Sequence, residues 1–213
     1  MNPGGKRRGI IISFPGMRKA LFVCLALLAA LAWRDWNRRE IIHPPGVLVA
    51  AAPRQQALAE PESFYLDQYR VTRRANFEVQ ARVLSREDYW LGKESDLSPV
   101  DLALGWGVMS DQAILDRIEI SQGARWYFTR YELPAPVSDR EIITHSSNMH
   151  LIPANGWVRG KIGKIRRGNI VQLKGSLVDV DHESGFFWRT SLTREDTGNG
   201  SCEIFYVEEI YIQ

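Results

Sequence analysis

The sequence predicts a mostly β body, a small bent sheet or OB/SH3-like partial barrel with a few short helices, preceded by one N-terminal transmembrane helix. Three observations predict it. Residues 20–33 (ALFVCLALLAALAW) form an uncharged apolar run. Downstream, several short runs alternate apolar with polar residues or gather β-branched and aromatic ones, the pattern of half-buried strands. Gly175 sits inside one of them, NIVQLKGSLVDV (169–180), where small barrels place bulges and sharp bends.

The apolar run is short. Fourteen helical residues span roughly 21 Å, against about 30 Å of hydrocarbon. Arg18 and Lys19 at one end and Arg34 at the other can snorkel to the headgroups, and Trp33 and Trp36 suit the far interface. The basic cluster Lys6, Arg7, Arg8, Arg18, Lys19 predicts a cytoplasmic N-terminus and an exported body. The expected division is a basic cytoplasmic tail over 1–19, a signal anchor over 20–36, a Pro-rich linker over 37–62 and a β-rich soluble domain over 63–213. Ala30-Leu31-Ala32 is an A-x-A site, so a cleaved signal peptide is one alternative. A buried core helix is another. Met17 opens a second complete anchor start, which leaves residues 1–16 as a tail or a misassigned start.

Composition excludes some functions. The chain is 213 residues with formal net charge +2, enough for one domain and an anchor. Residues 1–40 hold eight Lys or Arg and two acids, which leaves nineteen bases and twenty-three acids, a net of −4, for the body. Nucleic acid is therefore not expected as the partner, because phosphate neutralisation needs surplus cations. The two cysteines, Cys24 in the apolar run and Cys202 near the C-terminus, cannot plausibly pair.

The elements follow in order. Residues 46–50 read as a short edge strand after Pro44 and Pro45. Residues 77–84 (FEVQARVL) alternate cleanly, and 125–131 (RWYFTRY) are aromatic-rich. Residues 169–180, 186–192 and 202–212 (CEIFYVEEIYI) complete the strands. Ser98-Pro99 predicts a helix through Leu104, and residues 110–118 a second. Ser138 and Glu141 match a capping box opening a helix toward His145. Residues 157–166 read as a fourth helix weakened by Gly160 and Gly163.

Four constellations carry candidate chemistry, each with a plainer reading beside it. In HSSNMH (145–150), His150 and Asn148 share a strand face and His145 could reach them from the helix end. The group suits a general base or part of a metal site completed by His182, Asp179 and Asp181. It equally suits polar residues satisfying a helix end. Arg189, Ser191 and Thr193 alternate before Arg194 and suit an anion or peptide carboxylate, or a solvated face. Cys202 is a nucleophile only with a base in reach, His145 or His150; otherwise it is a small buried residue. Arg159, Lys161, Lys164, Arg166, Arg167 and Lys174 form a basic patch suited to anionic headgroups or to water. Gly105-Trp106-Gly107 predicts a tight turn with Trp106 packed inward, and Trp126, Tyr127, Phe128, Phe186, Phe187 and Trp188 are expected mostly in the core. No hydrolase, zincin, thiol-redox, phosphate-loop or dinucleotide motif occurs, and no cofactor is expected.

The stretch from residue 81 onward resembles uncharacterised membrane-anchored proteins of proteobacteria. The residues that carry the resemblance are LSPVDLALGWGVMSD (97–111), HSSNMHLIPAN (145–155) and WRTSLTREDTGNGSCE (188–203). It implies a bacterial cell-envelope protein and brings no activity with it. The combined expectation is a single-pass inner-membrane protein with a periplasmic domain, acting as a binding or assembly module. Its partners would be the bilayer, through residues 20–36, and another envelope protein. The alternatives are a Cys202/His hydrolase or transferase, or a His145–His150 metal site.

Overall fold

The computed structural model describes residues 15–37, 39–195, 198 and 201–213. Most of the expected basic tail, with the choice between Met1 and Met17, lies outside the described residues, as do Asp196, Thr197, Asn199 and Gly200. The chain divides into two units, Met1–Arg39 and Glu40–Gln213.

The first unit contains helix α1 (Pro15–Asn37). Its apolar side chains are exposed on every side, from Leu21 and Phe22 to Leu31 and Trp33, all at least half exposed. Among the described residues no helix is long and apolar enough to cross a membrane.

The second unit is mostly β, a sheet with a few short helices. It begins earlier than the expected linker boundary. Ile41 donates its N–H to the Arg167 carbonyl at 3.0 Å, Leu48 and Val49 donate to the buried Ser110 hydroxyl at 3.1 and 3.0 Å, and Val49 enters the core. Residues 46–50 form no strand; they run as irregular chain with bends at Gly46 and Leu48. Strands β1 (Arg54–Ala57) and β2 (Ser63–Leu66) then pair with the long β3 (Tyr69–Asp88).

After α2 (Lys93–Leu97) comes β4 (Val100–Gly105), where a helix through Leu104 was expected. The Ser-Pro pair ends one element and starts a strand instead. Val100, Leu102 and Leu104 face the main core while Asp101 and Ala103 point to the opposite side, a two-residue alternation that outweighs the local cap signal. The expected helix over 110–118 is reduced to a 3₁₀ turn (Gly107–Ser110) and α3 (Gln112–Leu115). Strands β5 (Ile118–Gly123) and β6 (Trp126–Tyr131) form a separate hairpin. Helix α4 (Asp139–Thr144) carries the predicted capping box: Glu141 donates its N–H to the Ser138 hydroxyl and its carboxylate accepts the Ser138 N–H. Next come β7 (Ser146–Pro153), α5 (Gly156–Ile162), β8 (Ile170–His182), the two-residue β9 (Phe187–Trp188) and β10 (Glu203–Ile212).

Five strands pair in a circuit, β3–β4–β7–β10–β8, and β8 returns to β3 over thirteen residue pairs. All neighbours are antiparallel except β7 and β10, which run parallel. Apolar residues from all five strands meet inside, and Val158, Ile162 and Ile165 of α5 and the turn after it close one end. Gly175 is required by close approach: a Cβ there would collide with the Tyr206 carbonyl oxygen, beside a bulge between Val207 and Glu209. Trp106 is buried as expected, between β4 and the 3₁₀ turn. The aromatic runs divide: Trp126, Phe128 and Phe187 are exposed, whereas Tyr127, Phe186 and Trp188 are half-buried against the core.

Candidate functional site

Strands β4 and β7 are buried on both faces, so their outward side chains lie under a second layer. Asp101 of β4 is in register with His150 of β7, and Ala103 with Asn148. The Asp101 carboxylate is fully buried and receives Arg125 Nη1 on Oδ1 at 2.6 Å. His150 Nδ1 stands 2.9 Å from Asp101 Oδ2, outside hydrogen-bond geometry. Neither of these two buried atoms has a hydrogen bond among the described residues.

Arg125 comes from the tip of the β5–β6 hairpin. Ala124 and Arg125 form its two-residue loop, both with positive φ (50° and 69°). This is the twist that hairpins favour but that usually falls to Asn or Gly. Each non-glycine residue there costs about 1 kcal/mol or more. Arg125 offsets that cost with contacts: Nη2 donates to the Ser98 carbonyl at 2.9 Å, and the guanidinium lies 3.8 Å from the Tyr89 ring centroid. The Arg125 N–H also donates to the Tyr89 hydroxyl at 2.9 Å. Burial pushes the Tyr89 phenol pKa up, and the bond from Arg125 opposes it. The Trp188 ring, from β9, packs against His150 at a 40° tilt with centroids 4.7 Å apart.

Two clefts open here. One of about 350 Å³ is lined by Arg125, Trp126, His150, Phe187, Trp188, Arg189 and Cys202. The other, of about 200 Å³, is lined by Tyr127, Ser146, Ser147, Asn148, Arg194 and Glu203, with Trp126 and Cys202 common to both. In the smaller cleft Glu203 is buried; its carboxylate accepts Arg194 Nη1 at 2.6 Å and the Ser147 hydroxyl. Asn148 accepts Gln122 Nε2 at 2.6 Å and donates to the Arg125 carbonyl at 3.0 Å. The Tyr127 hydroxyl meets Ser146 Oγ at 3.1 Å, and burial pushes its pKa up to about 12.

The predicted residues divide accordingly. His150, Asn148, Cys202, Arg189 and Arg194 come together around the two clefts. Cys202 Sγ lies 3.6 Å from Asn148 Nδ2 and 3.8 Å from the Arg125 carbonyl. Arg189 is committed to Asp181 at 2.5 Å and to the Val180 carbonyl at 2.9 Å. Ser191 is buried in the loop and bonds Thr193. His145 lines neither cleft. It caps α4, with Nδ1 against the Glu141 carbonyl at 2.9 Å, and its ring fills the space beside Gly107. Five residues of extended chain separate it from His150, roughly 16 Å at a strand's rise, too far for one metal ion. His182 bonds Ser184 and Gln68 at an exposed edge. Among the described residues no three His, Cys, Asp or Glu side chains form a metal-binding group.

Sequence reasoning missed Asp101, Arg125, Tyr89 and Glu203. The signal for Asp101 was a lone acid inside VDLALG, which burial obliges to find a cation. No known protein family, curated protein or solved structure matches this chain.

Proposed function

We propose that the protein is a membrane-tethered, extracytoplasmic binding module whose ligand enters the paired clefts over β4 and β7. The observation that carries the binding reading is where hydrogen-bonding capacity is left over. Among the described residues four buried side-chain atoms lack a hydrogen bond: Asp101 Oδ2, His150 Nδ1, Gln122 Oε1 and Arg194 Nε. All four belong to this region. Buried polar groups are almost always paired, so their concentration beside open clefts supports a site that a ligand or ordered water completes.

The strand order supports an OB-like barrel: five strands in a ring with one parallel pair and a helix, α5, between the third and fourth ring strands. Such barrels bind through the second and third strands and the loops joining strands one to two and four to five. The corresponding parts here are β4, β7, the loop bearing Tyr89, and the segment bearing Trp188 and Cys202. A helix apolar all round, as α1 is between residues 20 and 33, needs an apolar solvent, which supports the tether. The body would then lie outside the cytoplasm, at the bacterial inner membrane, with another envelope protein as an expected partner.

Two measurements test the two halves. Full-length protein should sediment with membranes and resist a high-salt wash; recovery in the soluble fraction refutes the tether. A high-resolution crystal structure should show the clefts open, with water or a co-purified ligand on Asp101 Oδ2 and His150 Nδ1. Clefts filled by Phe187 and Trp188, with Asp101 and His150 hydrogen-bonded to each other, refute the binding reading.

A further inference from the structure

We propose that the α5 end of the barrel is a docking face for anionic lipid headgroups, holding the body against the bilayer that anchors it. The inference rests on the tether proposed above. Residues 156–167 (GWVRGKIGKIRR) contain five bases and no acid. The remainder of residues 41–213 then holds fourteen bases against twenty-three acids. Charge in the body is therefore strongly polarised, and a negative surface attracts this end and repels the rest.

The fold turns the basic segment outward. Val158, Ile162 and Ile165 plug the barrel core, which leaves Trp157, Arg159 and Lys164 exposed. Trp157 is 60% exposed, with Lys161 Nζ 5.3 Å from its ring centroid. An exposed Trp beside cations is the side-chain pair that settles at the membrane–water interface. Among the described residues Arg167 is ion-paired, to Glu40 at 3.0 Å. No ion pair is recorded there for Arg159, Lys161, Lys164 or Arg166.

Chain length supplies the independent argument. The body begins at Glu40, and Ile41 is hydrogen-bonded to Arg167. From Trp36 to Glu40 is four residues, a reach of at most about 14 Å. An anchor ending at Trp36 therefore leaves Glu40, where the body starts, within about two Debye lengths of the bilayer at physiological salt. The other lysine of the expected basic patch, Lys174, is paired with Glu78 at 3.6 Å on β8 and lies outside this face.

The experiment is lysine footprinting by acetylation on full-length protein in nanodiscs. The discs contain phosphatidylcholine alone or phosphatidylcholine mixed with phosphatidylglycerol. Lys161 and Lys164 should label about tenfold more slowly in the anionic discs, while Lys174 labels equally in both. The shielding should vanish near 0.5 M salt, where the Debye length is roughly 4 Å. Arg159→Glu and Trp157→Ala should each reduce the shielding of Lys164 without changing Lys174. Equal labelling of Lys161 and Lys164 in the two kinds of disc, with the protein retained in both, overturns the docking face and leaves the tether standing. Protein that leaves the discs once detergent is removed overturns the tether, and the docking face with it.

Discussion

Replacing Arg125 with Met tests whether the buried pair beneath the hairpin organises the site. The substitution keeps side-chain length and accepts the same φ of 69°, so backbone strain cancels in the comparison. It removes the cation 2.6 Å from Asp101, whose carboxylate is fully buried, and the donor to Ser98. Breaking one side of a buried pair costs about 3–5 kcal/mol, chiefly because the remaining charge is stranded. The Arg125 side chain is 18% exposed, so water can partly solvate the carboxylate that remains, and about 3 kcal/mol is expected. For a body of this size that corresponds to a melting point lower by roughly 6–12 °C. The double variant Arg125→Met/Asp101→Asn buries no charge there and should recover at least about 1.5 kcal/mol relative to the sum of the single losses. Urea unfolding of the full chain in detergent, followed by tryptophan fluorescence, measures all four corners of the cycle. A single-variant loss under about 1 kcal/mol, or strict additivity in the double variant, would show that the pair is incidental.

Two further outcomes are expected. Gly175→Ala should cost about 3 kcal/mol or more in urea unfolding, the upper end of overpacking penalties, because the new methyl meets the Tyr206 carbonyl across the β8–β10 pairing; a loss below about 1 kcal/mol would mean that the strand relaxes freely. The Tyr127 phenol is raised from 10.0 to about 12, so the unfolded chain releases this proton first. Stability is therefore full below pH 10 and falls as the pH rises from about 10 to 12, by roughly 2–3 kcal/mol in total. Tyr127→Phe should make that segment of the stability–pH curve shallower by about this amount, the raised Tyr69, Tyr89 and Tyr206 phenols supplying the remainder, and an unchanged slope would contradict the assignment.

Much of the fold was legible because local chemistry and tertiary demand agreed. The Ser138–Glu141 box needs only four residues to satisfy its own backbone. Gly175 announced a bulge, which the register shift between Val207 and Glu209 supplies opposite it, and the aromatic and β-branched run of β10 had no competing helical signal. Strand β4 was not legible. Its Ser-Pro entry imitates a helix start, and a strand covered on both faces gives up the exposed polar residues by which alternation is recognised. The site was legible in halves. His150, Asn148 and Cys202 stand in polar stretches that draw attention. Asp101, Arg125 and Tyr89 acquire meaning only from one another, and they lie on β4, a hairpin tip and a loop that sequence spacing does not join. The outer aromatics misled for a related reason: Trp126 and Phe187 have strand-like neighbours but stand on a hairpin tip and a two-residue strand, beyond the reach of the core.

The β5–β6 hairpin forms its own two-stranded sheet, with no ladder to the main sheet among the described residues. Side chains therefore set where its tip rests, and the Arg125 guanidinium is the most heavily engaged of them. Drawing that group away from Asp101 would loosen the tip, where Asn148 meets the Arg125 carbonyl, while Ile118 and Ile120 hold the base of the hairpin in a buried cluster. A ligand that competes for the Asp101 carboxylate is therefore expected to act on the two loop residues at the end of a seated arm, Ala124 and Arg125, and not on the arm as a whole.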